Sequence, residues 1–175
     1  SNLLADFLPY SACQKSEVQF QDNSYSATYP ITSYQWKFTE GTTITSSSEQ
    51  NPKYTFQTPG SHHVELTVTN SGGASTTFVK SVTVLPSPLA DFTLTNVCQG
   101  VPVVIDNTSS ANSTTINSWL WDFGDYTQNS TQEEPGSHGY LNPGEYPVIL
   151  TLSATNGCTN SVTKKAIVAA FPVAE

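Results

Sequence analysis

Arginine and methionine are absent from this chain of 175 residues, cysteine occurs three times, and only 11% of residues are charged. Six lysines stand against 14 Asp and Glu, for a net charge of −8. With so little positive charge, nothing attracts phosphate backbones or anionic headgroups, which argues against nucleic acid and membrane surfaces as partners. Long apolar runs are also missing. None approaches the roughly 20 residues of a membrane-spanning helix, and no secretory leader opens the sequence, so no membrane insertion by this segment is expected. There is no phosphate-cradling glycine loop and no G-x-S-x-G nucleophile turn.

What the sequence does contain is a unit written twice. LADF at 4–7 recurs at 89–92, a shift of 85. At the same shift Cys13 meets Cys98, Val18 meets Val103 and Phe20 meets Ile105; Ile31, Tyr34, Trp36 and Phe38 meet Ile116, Trp119, Trp121 and Phe123. Later the shift becomes 84: Phe56 meets Tyr140, Pro59-Gly60 meets Pro143-Gly144, and Val64, Leu66 and Val68 meet Val148, Leu150 and Leu152. PVAE at 172–175 aligns with PLAD at 88–91, so a third copy is expected to begin there, and the chain reads as a piece of a longer array. The stretch 85–89, LPSPL, carries two prolines and reads as a short, stiff linker.

Within each copy the apolar residues alternate with period two, and PG, NPG, NSGG and TNG turn signals break the runs. No amphipathic helix is visible. The expected fold is all-β: two Ig-like antiparallel sandwiches of about seven strands each, over residues 1–85 and 86–175. The expected core includes Trp36, Phe38, Trp119, Trp121, Phe123 and Tyr140, because large aromatics bury the most area and tolerate few substitutes.

The second copy carries W-D-F-G-D at 121–125, P-x-x-H-x-Y at 135–140 and PGEYPVILTL at 143–152. In these residues the chain resembles the polycystic kidney disease (PKD) domain family over nearly all of both copies. Tandem modules opening with ADF look like those in large surface adhesins of gliding Bacteroidota; the family is also an accessory module in secreted proteases and chitinases. The resemblance implies spacing, adhesion, and contact with a protein or polysaccharide surface ligand, with neighbouring repeats beside it in the same chain and no catalysis. The sequence departs from the family pattern in two places. Tyr126 stands where the family's turn ends in Gly, and Lys37, Thr39 and Glu40 replace Asp122, Gly124 and Asp125 in the first copy.

Because the aromatics persist between copies while the carboxylate positions change, the WDFGD phrase reads as scaffold. Asp122 and Asp125 could in principle form a glycosidase-type acid pair, but adjacent in one hairpin they read instead as acceptors for turn amides. Some PKD modules of secreted proteases bind calcium, and Asp106, Asn107, Asp122 and Asp125 are hard oxygen donors suited to it; the first copy offers Asp22 and Asn23 without the partner acids. No other cofactor is expected. His62 and His63 occupy the positions of Tyr146 and Pro147, and His138 that of Tyr54. Zinc needs three or four converging ligands, so these histidines read as structural. Asn107, Asn112 and Asn129 begin N-x-S/T sequons, which matter only in a eukaryotic secretory host. Tyr10, Tyr25 and Tyr29 could stack on sugars or simply pack.

Cys98 precedes the second strand of its copy and Cys158 sits in the late TNGC turn, where the first copy has Ala74. The simplest reading is a Cys98–Cys158 disulfide with Cys13 unpaired; the alternative is three reduced, buried thiols. Such a bridge, closing about 60 residues, would contribute about 4 kcal/mol in the chain-entropy model and would place the module outside the cytoplasm, at the cell surface or secreted. The function expected is a non-catalytic spacer and adhesion module of a large surface protein, with the accessory region of a secreted hydrolase as the alternative.

Overall fold

The computed structural model describes residues 2–171 and divides the chain into two compact units, Ser1–Pro86 and Ser87–Glu175. The expected third-repeat start at 172–175 lies outside the described residues. No helix occurs among them.

The first unit contains β1 (Leu3–Leu4), β2 (Phe7–Leu8), β3 (Ser11–Cys13), β4 (Glu17–Gln19), β5 (Gln21–Asp22), β6 (Tyr25–Ser26), β7 (Ile31–Glu40), β8 (Thr43–Ser47), β9 (Lys53–Thr55), β10 (Gly60–Asn70) and β11 (Ser75–Leu85). One layer is a five-stranded sheet in the order β3-β11-β10-β7-β8; the other is built from the short ladders β1–β6, β2–β5 and β4–β9. The second unit contains β12 (Phe92–Leu94), β13 (Val97–Cys98), β14 (Val103–Asn107), β15 (Ile116–Asp122), β16 (Gly136–His138), β17 (Gly144–Ala154) and β18 (Thr159–Ala169). Its layers are β12-β14-β16 and β13-β18-β17-β15. In both units the last strand pairs antiparallel with its predecessor and parallel with a short early strand, β3 on β11 and β13 on β18.

The first unit has more strands than the expected seven because its thinner layer is split into three separate ladders of two or three residues each. Asp6 Oδ1 accepts the amide of Phe7 at 2.8 Å, and the Asp6 amide donates to Ser24 Oγ at 3.2 Å. The same device recurs in the second unit, where Asp91 Oδ1 accepts the Phe92 amide and the Asp91 amide donates to Ser109 Oγ. The LADF phrase therefore spells a strand whose aspartate turns aside to bond the backbone while the next phenylalanine enters the core. Phe7 and Phe92 are fully buried.

Each core is assembled from residues paired by the repeat. Phe7, Phe20, Trp36, Phe38, Phe56, Val64, Leu66 and Val68 are buried in the first unit. Phe92, Ile105, Trp121, Phe123, Tyr140, Val148, Leu150 and Leu152 are buried in the second. At each centre lies a tryptophan with no exposed surface, and its indole N–H reaches a carbonyl of the following loop: Trp36 Nε1 to Glu49 O and Trp121 Nε1 to Gln132 O, both 2.9 Å. Trp119 is only half-buried against the second core, and its indole nitrogen, shielded from solvent, has no hydrogen-bond partner among the described residues.

The cysteines differ from expectation. Cys13 and Cys158 are disulfide-bonded, and Cys98 carries a free, exposed thiol. The pairing Cys98–Cys158 is excluded by register. Cys98 lies opposite Ala169 at the end of β18, whereas Cys158 directly precedes its start. The eleven residues of β18, at about 3.3 Å per residue, put these two cysteines far beyond the roughly 7 Å that a disulfide can span between Cα atoms.

Two outcomes are expected. Alkylation of the native, unreduced protein modifies a single site, mapped by mass spectrometry to Cys98, and Cys98→Ser abolishes the reaction. In urea titration of the second unit, Trp121→Phe costs about 1–3 kcal/mol, since the Gln132 carbonyl loses its buried donor; Trp119→Phe costs less, because no hydrogen bond is lost.

Candidate functional site

At one end of each sandwich the aromatic residues form a ladder of four rings. In the second unit Phe123 stacks on His138 (centroids 4.0 Å, planes 6° apart), His138 meets Tyr140 edge-on (4.8 Å, 77°), and Tyr140 stacks on Tyr146 (4.0 Å, 20°). In the first unit the same positions hold Phe38, Tyr54, Phe56 and His62, at 4.3 Å and 5°, 4.8 Å and 74°, and 5.3 Å and 23°. Tyrosine and histidine have exchanged places between the copies, and the ladder geometry has survived. Alternating offset stacks and edge-to-face contacts satisfy the ring quadrupoles.

A carboxylate caps the second ring in both copies. Asp125 Oδ2 lies 2.8 Å from His138 Nε2, while its Oδ1 accepts the Thr127 amide at 3.1 Å and the Thr127 hydroxyl at 2.6 Å. In the first unit Glu40 accepts the hydroxyl of Tyr54 at 3.1 Å, the amides of Gln57 and Thr58, and the Thr58 hydroxyl. His62 Nε2 donates to the Thr58 carbonyl oxygen at 2.8 Å. Burial alone would raise the pKa of Asp125, but the hydrogen bonds from His138 and Thr127 and the His138 charge hold it below the ordinary carboxylate value. Glu40 is likewise lowered against the effect of burial, by Thr58, Gln57 and Tyr54. Tyr140 is pushed up, first by burial and then by Asp125, Tyr146 and Asp122; its hydroxyl donates to Phe123 O at 2.9 Å.

The two acids reach equivalent partners by different backbones. Thr39 continues β7, and Glu40 ends it before the turn at Gly41. In the second unit β15 stops at Asp122, whose Oδ1 accepts the Gly124 amide at 2.9 Å. Gly124 then adopts φ +73°, where a Cβ would stand 2.5 Å from the Pro147 carbonyl oxygen, so only glycine fits. The shorter side chain of Asp125 is thereby carried inward to His138. Between the copies the acid at this position is retained in kind, although its neighbours change; the sequence reading that both carboxylate positions drift holds only for Asp122, which aligns with Lys37 in the repeat.

The four residues singled out as calcium donors are dispersed over separate structural tasks. Asp106 lies exposed on β14 opposite Thr93. Asn107 uses its side chain on Glu133 O and the Ser109 amide, and its own amide donates to Glu134. Asp122 and Asp125 hold the turn described above. Among the described residues no group of three or more His, Cys, Asp and Glu could hold a metal ion; an ion at Asp125 would displace Thr127 and His138. Of the tyrosines considered for sugar stacking, Tyr10 is engaged by Phe7 on its edge, by Lys80 5.1 Å over its ring and by Asp6 at its hydroxyl. Tyr29 packs against Gly72, where a Cβ would come within 2.6 Å of the ring. Tyr25 is exposed.

The sequence pattern of the PKD domain matches residues 5–85 and 86–169. The chain is 38% identical over 81 residues to the collagenase ColA of Bacillus cereus, an alignment covering 46% of this chain and 8% of the collagenase. It is 35% identical over 111 residues to human polycystin-1, covering 62% of this chain and 2% of polycystin-1. The chain thus spans less than a tenth of the length of either relative. Among solved structures, the PKD1 domain of Vibrio anguillarum Epp is 33% identical (TM-score 0.43, 48% of this chain and 95% of that one). The PKD1 domain of the Vibrio cholerae metalloprotease PrtV is 35% identical (TM-score 0.42, 47% and 98%).

Because the folded pKa of Asp125 lies below its unfolded value of about 3.9, its contribution is complete above that value and is lost as pH falls through the folded pKa. Asp125→Asn is expected to cost about 1–3 kcal/mol at pH 7 and to flatten the loss of stability below about pH 4. Urea midpoints of both proteins from pH 7 to pH 3 check it; parallel curves would refute the staple.

Proposed function

The chain belongs to the PKD domain family, and on that premise we propose that it is a non-catalytic, extracellular pair of modules from a larger surface protein, serving as spacer and adhesion or protein-interaction scaffold. The observation that carries this reading is the fate of the acids. Glu40 and Asp125 spend their oxygens on amides, hydroxyls and a ladder ring, the arrangement of a structural staple and not of a proton donor and acceptor poised across a cleft. Disulfide-bonded cysteines fit an oxidising compartment outside the cytoplasm. The acidic balance keeps successive modules soluble and discourages collapse between them. Continuation of the repeat beyond this chain, toward a large adhesin array of the kind the sequence resembles, belongs to the same proposal.

A second reading is favoured by the collagenase match alone: an accessory region that contacts a polymer for a catalytic domain elsewhere in the chain. Antibody against the fragment separates the two. On source cells and culture medium, the spacer reading expects a very large, cell-attached, protease-accessible band. A modest, freely secreted band would overturn it in favour of the hydrolase accessory.

A further inference from the structure

The second unit carries one residue that neither the core nor the ladder explains. Tyr126 is fully exposed and sits at φ +62°, at the turn position where the family pattern has glycine. A bulky side chain in the left-handed region is strained, and a solvated tyrosine returns nothing to the core. Its loop separates two concavities. One, of about 250 Å³, is lined by Asp125, Leu141, Asn142 and Tyr146; the other, of about 280 Å³, by Asp122, Asn129, Pro147 and Ile149, with Tyr126 on the wall of both. Leu141 is 89% exposed beside the first.

Charge selects the occupant. Asp122 is exposed and uses one carboxylate oxygen on the Gly124 amide; the other has no protein partner among the described residues. The unit's two lysines are already committed, Lys164 to Asp91 and Lys165 to Glu145. An aromatic face presented to solvent next to an uncompensated carboxylate suits a cationic side chain, which gains from ring quadrupole and ion pair together. We propose that this face docks a polypeptide bearing Lys or Arg, with the cation against the Tyr126 ring and Asp122 and its apolar stem beside Pro147 and Ile149. This inference rests on reading the pair as an interaction module and names the chemistry of its partner.

The test is a two-dimensional NMR titration of the isotopically labelled 175-residue chain with acetyl-Gly-Arg-Gly-Lys-Gly-amide. Its neutral citrulline and norleucine analogue and a neutral cello-oligosaccharide serve as comparison probes. The basic peptide is expected to shift Tyr126, Asp122 and Ile149 saturably, and the neutral analogue is not. Tyr126→Gly should weaken binding about two- to fivefold while leaving the spectrum folded and the melting temperature unchanged or raised, since glycine accepts the left-handed turn without strain. Tyr126→Leu separates bulk from the ring face, and Asp122→Asn should remove most of the salt dependence. Equal binding by the parent and Tyr126→Gly overturns the inference. So do a response to the oligosaccharide alone and silence toward every probe; both leave the module reading intact, because that reading stands or falls on the location of the parent protein.

Discussion

Both sandwiches hang on a buried indole N–H that reaches across to a loop carbonyl. A tryptophan at the centre of a small core supplies more apolar area than any other residue, but it brings a polar atom that costs about 1–3 kcal/mol if left unpaired. Trp36 and Trp121 settle this by bonding Glu49 O and Gln132 O. The bond also fixes the loop that returns to the opposite layer. In the first unit that loop then places Pro52 O on the Phe20 amide and delivers Tyr54 and Phe56 to their places beside Phe38. In the second it leads to β16 and His138. Trp119 shows the contrary case: half-buried, with no partner for its nitrogen among the described residues, it packs at the margin of the core.

From the pinned loop the ladder follows, and from the ladder the acid. A ring stacked between two others presents its polar tip to one direction only. Tyr54 Oη and His138 Nε2 both meet a carboxylate there, at 3.1 Å and 2.8 Å. Because Glu is one methylene longer, the first copy can keep Thr39 in strand geometry and still arrive. Because Asp is shorter, the second needs the left-handed Gly124 and its close approach to Pro147. Residue identities at the ladder are thus coupled through distance, and tyrosine and histidine trade places without disturbing the rings.

The repeat made most of this legible in the sequence. Register matching alone paired Phe7 with Phe92, Trp36 with Trp121 and Val64 with Val148, and all are buried, because period-two alternation over a two-layer core leaves little freedom for where an inward residue goes. The exchange of His62 with Tyr146, and of Tyr54 with His138, was visible as an alignment and silent as geometry, since one-dimensional matching does not say that these side chains touch. The cysteine assignment failed for a topological reason. Aligning Cys98 with Cys13 and noting a late Cys158 suggests an early–late bridge within one copy, but β13 is two residues long and runs parallel to β18, which puts its cysteine at the far end of that strand. So short a strand carries no pattern from which direction or partner can be read. The turn-amide role expected of Asp125 is met by the Thr127 amide, whereas its bond to His138 was missed because comparison by residue type saw Glu against Asp and Thr against Gly as drift.

The ladder end is fixed by interactions internal to each unit, and the residues just beyond it differ in kind between the copies. Asp122 and Lys37 differ in sign at one position without altering the strand pairing around them, β15 on β17 and β7 on β10. Tyr126 goes further, since it holds a conformation that glycine would take without strain. Within a domain whose stability is only ~5–15 kcal/mol, a strained and solvated aromatic is a net loss to folding. Its presence makes sense on the outward side of a rigid staple, on the loop that Asp125 anchors through Thr127. Rigidity at Asp125 and His138 and exposure at Tyr126 therefore belong to one arrangement: the first anchors the loop, and the second presents a ring to solvent on it.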